Sequence, residues 1–342
     1  PANLLVFLFK EHVATSSIFA SAYFWLALIF LYYFLATFLP IDKIIGRVYP
    51  LFGICLLVMA LGVSGGLLLQ GYHIPEVTLH NLHPSHLPVW PLMFVTVACG
   101  AISGFHATQS PLMARCITSE YQSRQVFAGA MVMEGIIALI WAAAGCAVYE
   151  KTGGLMTGLQ EMLARSGQAG VVYDICLKTI GPMKWGSVPF GFLFVMIGVI
   201  ICPITSGDTA FRASRLVLAD WFKIDQKPFL KRLRLSAPLL LAGVVISQLP
   251  YDVIWRYFSW SNQTLAMIVL WAATVYLYRK KQSYFIALIP AVFMTAVSST
   301  YFFVAPECLH LPAVVAWPLG SVVTVLISSY FVMKMKNDKR SS

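Results

Sequence analysis

The chain has 342 residues, 59% of them hydrophobic and only 11% charged, and its mean hydropathy is +0.76. That balance excludes a water-soluble domain of this size, whose helices keep a polar face for solvent, and points to an all-α, polytopic membrane protein. The formal charge of +10 falls in short loops between apolar spans and accompanies no nucleic-acid-binding motif, so no nucleic-acid partner is expected.

The chain opens at Pro1 inside PANLLVFLF, which reads as the tail of a hydrophobic segment, so further residues are expected upstream. Apolar runs bounded by charge, Pro or Gly predict nine spans. They are Ser16–Leu39, Tyr49–Gln70, Val89–Gln109 (interrupted), Val126–Tyr149, Val188–Gly207, Leu235–Val253, Trp260–Tyr278, Ser283–Val304 and Leu311–Met333. Alternate loops then hold 18 and 6 of the 24 Lys and Arg residues. The richer set, which includes the C-terminal tail, is expected in the cytoplasm, with membrane lipid around the spans. The seven cysteines do not form a disulfide framework. Cys55, Cys99, Cys146 and Cys202 sit in apolar runs as packing residues, and a Cys176–Cys308 bridge between external segments is a weaker alternative.

In chain order, the external loop Gly71–Pro88 holds His73, His80, His83 and His86, three of them in H-x-x-H-x-x-H spacing. Pro75, Pro84 and Pro88 disrupt the helix that would align them, so the reading is a plain loop with no metal. The next stretch, CGAISGFHATQSPLMARCITSEY (Cys99–Tyr121), organises the chain. Its apolar run, Val89–Ile102, covers about 21 Å against a hydrocarbon core of roughly 30 Å. Ser103, Gly104 and Pro111 are expected to open the helix between Ser103 and Ser110, with a half-helix resuming near Pro111 and offering free N–H groups. Phe105, His106, Thr108, Gln109 and Ser110 lie in that interval. Broken backbone at membrane depth survives only against protein or a watery cavity, which is how transporters build binding sites. His106 is the one side chain there of a type able to titrate near neutral pH.

Glu134 lies within the next span, either as a proton carrier or as a structural acid paired to a neighbouring helix. Lys151–Ser187 is read as an external lid, with amphipathic stretches Leu155–Arg165 and Val171–Ile180 separated by Gly167 and Gly170. In CPITSGDTAFR, Thr205, Ser206, Asp208 and Thr209 offer hard oxygens suited to Na⁺ or a proton. The bland alternative is a helix end with Asp208 paired to Arg212 at i, i+4. Residues 212–234 are read as a basic cytoplasmic loop, whose Asp220–Leu235 stretch is a solvated face suited to anionic headgroups. WSNQ, Trp260–Gln263, is placed at the outer start of a span. There Asn262 and Gln263 either bond substrate or simply accompany an interfacial Trp.

SGFHATQSPLMARC, GAMVMEGIIALIWAAAG and CPITSGDTAFRASR, together with LPIDKIIGRVYPLFG and LPYDVIWRYFSWSNQTLA, resemble the carbon starvation protein A (CstA) family. The resemblance covers Tyr23 to Tyr278; the family's glycine- and proline-rich N-terminal segment is absent. It implies a bacterial inner-membrane transporter induced by carbon starvation. Peptide or pyruvate would be the substrate, H⁺ (or Na⁺) the coupling ion, and no cofactor is required. It also implies a LeuT-like (APC-superfamily) inverted-repeat fold, N-terminally incomplete. Ser103, Gly104, Phe105, His106, Thr108 and Gln109 would then line the substrate site, and Thr205, Ser206 and Thr209 would flank the coupling ion. The missing segment would form the opposite wall, so the chain by itself is not expected to transport. Two rivals are weaker. A membrane nutrient sensor lacks any output domain, and an intramembrane hydrolase lacks H-E-x-x-H and G-x-S-x-G.

Overall fold

Apolar runs with few breakers fold as helices because a helix satisfies its own backbone groups, which lipid cannot do. The computed structural model describes residues 1–10, 17–38, 41–76, 81, 88–151, 158–181, 184–185 and 188–340. The helices are α1 (Ala2–Lys10), α2 (Ala22–Phe38), α3 (Ile41–Leu69), α4 (Val89–Ala101), α5 (Gly104–Ala114), α6 (Ala130–Lys151), α7 (Gln160–Ile180), α8 (Phe190–Trp221), α9 (Phe229–Ser247), α10 (Tyr251–Arg279), α11 (Phe285–Val304) and α12 (Ala313–Arg340). A 3-10 turn at Ile18–Ala20 precedes α2, and a π-helical turn at Arg124–Gly129 leads into α6. Two-residue strands, β1 (Lys184–Trp185) and β2 (Val188–Pro189), pair antiparallel before α8. Among the described residues, five helical stretches are long and apolar enough to cross a membrane: Pro50–Leu69, Arg124–Glu150, Val195–Trp221, Phe285–Val304 and Ala313–Met335.

Four expected spans coincide with these stretches, and three others are displaced. Val188–Gly207 is the first part of a longer helix, because FRASRLVLADW contains no Gly or Pro and its Arg, Leu and Ala favour helix. The expected basic loop 212–234 is therefore mostly helical, with only residues 222–228 between α8 and α9. Leu235–Val253 ends early, at Ser247, and α10 starts at Tyr251, directly after Pro250. WSNQ consequently lies well inside α10 rather than at a span's outer start.

The chain divides into two units, Pro1–Ser85 with Ile136–Ile246, and His86–Gly135 with Ser247–Ser342. In the first, Met59, Val63 and Leu67 of α3 pack with Ala144, Val148, Ile175, Cys176, Val195 and Met196. Close approach depends on small residues, as is usual where lipid supplies no hydrophobic drive between helices. A Cβ on Gly66 would collide with the Thr179 backbone, and one on Gly198 would come within 2.8 Å of the Cys55 carbonyl oxygen. From the stretch read as a lid, α7 contributes Ile175 and Cys176 to this core. Gly167, at φ 62°, divides α7 as the expected separator between its amphipathic stretches, while residues 152–157 lie outside the described set. In the second unit Val95, Met294, Val297, Tyr301 and Ala305 form the core. Trp271 stacks on Phe331 at 4.5 Å and donates to Thr295 Oγ1 at 2.9 Å.

Candidate functional site

The site grows from the end of α4, whose 13 residues reach only about 20 Å at 1.5 Å per residue. Ser103 then turns extended (φ −119°, ψ 128°) and caps α5. The Phe105 N–H, an orphan of the new helix's first turn, donates to Ser103 Oγ at 3.2 Å and to Asn262 Oδ1 at 2.8 Å. Asn262 Nδ2 donates in turn to Ser103 Oγ at 3.1 Å. On the other side of the break, Gln263 Nε2 reaches the Val95 carbonyl of α4 at 3.5 Å. Asn262 and Gln263 are both buried. Two consecutive residues of α10 therefore hold the two halves of the broken span. Gly104 allows this approach, because an added Cβ would strike the Asn262 backbone carbonyl and come within 2.7 Å of Leu265 Cβ.

The break differs from expectation in extent. It occupies Ile102 and Ser103, and the second half-helix begins at Gly104 rather than near Pro111. Pro111 is absorbed into α5, where Thr108 and Ser110 turn their hydroxyls onto the Phe105 and His106 carbonyls. Such back-bonding eases local bending of a helix. In place of the expected half-helix with free N–H groups near Pro111, α5 starts at Gly104, and the Phe105 N–H of its first turn is taken by Ser103 and Asn262.

In the first turn of α5, His106 Nε2 meets Glu134 Oε2 at 3.0 Å, with the side chains 35% and 40% exposed. Two residues placed in separate sites from the sequence, one against substrate and one against the coupling ion, are therefore one pair. Glu134 lies just after the π-helical turn at Arg124–Gly129, a feature that often marks functional sites in membrane and soluble helices alike. His106 Nδ1 and Gln109 Oε1, three residues apart on one face of α5, are buried without a hydrogen-bond partner among the described residues. When Nε2 donates to the carboxylate, Nδ1 accepts in the neutral ring and donates in the imidazolium. Along α10, which packs on α5, no charged side chain occurs between Asn262 and Tyr278.

The α8 cluster belongs to the other unit and is largely committed to its own helix. Thr205 Oγ1 donates to the Ile201 and Cys202 carbonyls at 3.1 and 2.9 Å, and Thr209 Oγ1 to the Thr205 carbonyl at 2.9 Å. Buried Asp208 contacts Arg212 at 3.5 Å across one helical turn, the pairing anticipated as the bland alternative. Ser206 is exposed on a different face. His80, His83 and His86 lie outside the described residues, whereas His73 contacts Glu150 at 3.3 Å. Cys176 and Cys308 are free thiols, and burial pushes the Cys176 thiol up to about 12.

Sequence reasoning missed a further, partly buried acid, Glu307, which takes a hydrogen bond from Tyr301 and lies 3.7 Å from Arg256. Its only local signal is a lone Glu between Pro306 and Cys308 at the end of a span. No pattern links it to an Arg some 50 residues earlier.

The family model described as "Carbon starvation protein CstA" matches residues 4–153 and 155–301. The chain belongs to this family. It is 24% identical over 326 residues to the peptide transporter CstA of Escherichia coli, which covers 76% of this chain and 44% of that protein. It is also 24% identical over 346 residues to the pyruvate/proton symporter BtsT of Escherichia coli, covering 76% and 45%. A shorter match, 47% identical over 145 residues, joins 37% of the chain to 39% of an uncharacterized membrane protein of Haemophilus influenzae. The chain thus spans less than half the length of these three relatives. No solved structure matches it. The helical architecture and the named relatives make it a multi-pass membrane protein of a family that contains transporters.

Proposed function

We propose that the protein belongs to a secondary active transporter of the bacterial inner membrane that takes up peptides or small carboxylates such as pyruvate during carbon starvation, in symport with protons. The observation that carries this reading is the 3.0 Å His106–Glu134 contact, in the first turn of the half-helix that follows the break. A carboxyl and an imidazole at that distance share one proton readily, and a proton added to the ring turns its second nitrogen, Nδ1, from an acceptor into a donor. His106 Nδ1 and Gln109 Oε1 are the groups left to a solute. The first donates to a carboxylate once the ring is protonated, and the second accepts from an ammonium or amide. Thr108, Ser110 and Phe105 complete the lining, while Ser103, Gly104, Asn262 and Gln263 keep its shape. The names of the Escherichia coli relatives, a peptide transporter and a pyruvate/proton symporter, support both the solute classes and the ion.

On this reading the coupling proton is shared by Glu134 and His106, and Thr205, Ser206, Asp208 and Thr209 form at most a secondary ion site. The arrangement is that of a single LeuT-like transmembrane domain with α4–α5 as its unwound helix, the lid at 151–187 outside and the C-terminus in the cytoplasm. The lopsided distribution of Lys and Arg supports that orientation. The test is uptake of labelled pyruvate and of a dipeptide by proteoliposomes holding full-length protein. Gln109→Ala and Thr108→Ala are expected to lower uptake at least tenfold with the yield of folded protein unchanged, about the loss from removing one bond to a charged group. Undiminished transport by both variants removes α5 from the site.

A further inference from the structure

The turn joining α8 to α9 concentrates cationic groups whose donors are incompletely used. Arg212 and Arg232 both lie within electrostatic reach of Arg215, as does the Asp208 carboxylate. Arg212 is engaged with Asp208, and Arg215 donates one N–H to the Thr37 carbonyl at the end of α2 at 3.0 Å. That leaves Nε of Arg215, Nε of Arg232 and the Ser236 hydroxyl, all buried and all without a hydrogen-bond partner among the described residues. Ser236 itself is only 4% exposed. Buried donors of this kind are costly to leave unfilled.

Their placement is specific. Arg232, Ser236, Leu240 and Gly243 recur at helical spacing along one face of α9. That face packs on α2 and α8: Leu240 joins Ile29 and Tyr33, and Gly243 rests against Phe211. Arg232 and Ser236 continue the packed face towards the turn, alongside the stretch of α8 that carries Arg212 and Arg215. Trp221, Phe222, Phe229 and Leu230 surround the same turn, 76%, 61%, 51% and 66% exposed. Aromatic side chains displayed around a helix end are what the headgroup layer of a bilayer selects.

We propose that the α8–α9 end binds a phosphate oxyanion, supplied by the headgroup of an anionic membrane lipid, between Arg215, Arg232 and Ser236. Guanidinium forks match phosphate oxygens in geometry as well as charge. Basic recesses between membrane helices are known hosts for acidic headgroups. The exposed aromatics favour lipid over free phosphate, since they belong at the level where lipid phosphates lie. The site is independent of the transport reading and sits on other helices than α5.

The experiment is native mass spectrometry of the purified protein carrying phosphatidylglycerol or phosphatidylcholine, with Arg232→Gln, Ser236→Ala and, as a control of equal charge, the exposed neighbour Lys231→Gln. Retention of phosphatidylglycerol over phosphatidylcholine is expected, with at least a tenfold loss in Arg232→Gln, a smaller loss in Ser236→Ala and none in Lys231→Gln. Arg232→Lys, which keeps the charge without the fork, should fall between and covers the case in which Arg232→Gln does not fold. Equal losses in the Arg232 and Lys231 variants mean a diffuse basic surface and overturn the proposal. Equal retention of both lipids, with inorganic phosphate alone raising the melting temperature through Arg232, assigns the site to a free anion and overturns the lipid.

Discussion

His106 and Glu134 carry the account at the scale of single residues. Replacing Glu134 by Gln leaves His106 Nε2 a neutral partner of the same shape, so folding should be little changed. Because each side chain is more than a third exposed, the pair contributes little to stability, and its effect should appear in transport rather than melting. His106→Gln is expected to flatten the pH dependence of uptake, measured as initial rate across the range in which histidine titrates. An unchanged profile assigns the proton elsewhere. Gly104→Ala is a packing test, since its methyl group meets Asn262 and Leu265. Overpacking of this kind costs about 1–3 kcal/mol, and the melting temperature in detergent should fall with uptake. Asn262→Ala should cut uptake in the same way without that steric load, because the Phe105 N–H loses an acceptor.

At the scale of elements, the close contact of α3 and α7 is the most exposed to a single change. Gly66→Ala drives a methyl into the Thr179 backbone and should lower stability by about 1–3 kcal/mol, read as a drop in melting temperature. A variant as stable as the parent contradicts the packing of α7 into the core. Cys176 on the same helix offers a chemical check. Its thiol, raised from 9.0 to about 12 by burial, keeps its proton near neutrality, so maleimide should label exposed Cys116 and spare Cys176. Above pH 9 the unfolded thiol loses its proton first, so stability should fall as pH rises from 9 towards 12. The sequence already exposes the broken span, because 14 apolar residues are too few to cross a bilayer. The break lies earlier than Pro111 suggests, since Ser103 and Gly104 suffice to make it and α5 runs on through Pro111. The length of α8 was hidden by its charge: Arg and Lys mark loops in a hydropathy reading, yet they are good helix formers. Neither the Asn262 cap nor the His106–Glu134 pair leaves a local signal, because each joins residues far apart in sequence.

The proposed function makes the whole molecule part of a proton-driven transporter with its C-terminus in the cytoplasm. Single cysteines introduced at Lys281 and at Gly71, in a background without native cysteines, should be labelled by an impermeant maleimide from opposite sides of the membrane, Gly71 from outside. The reverse pattern overturns the orientation. The most direct test of the coupling site is accumulation of labelled pyruvate or dipeptide by proteoliposomes of full-length protein, with proton and sodium gradients imposed separately, for the parent and Glu134→Gln. Accumulation driven by an inward proton gradient and not by sodium is expected, lost in Glu134→Gln while downhill exchange persists. Accumulation driven by sodium alone, or undiminished proton-driven accumulation by Glu134→Gln, contradicts this coupling.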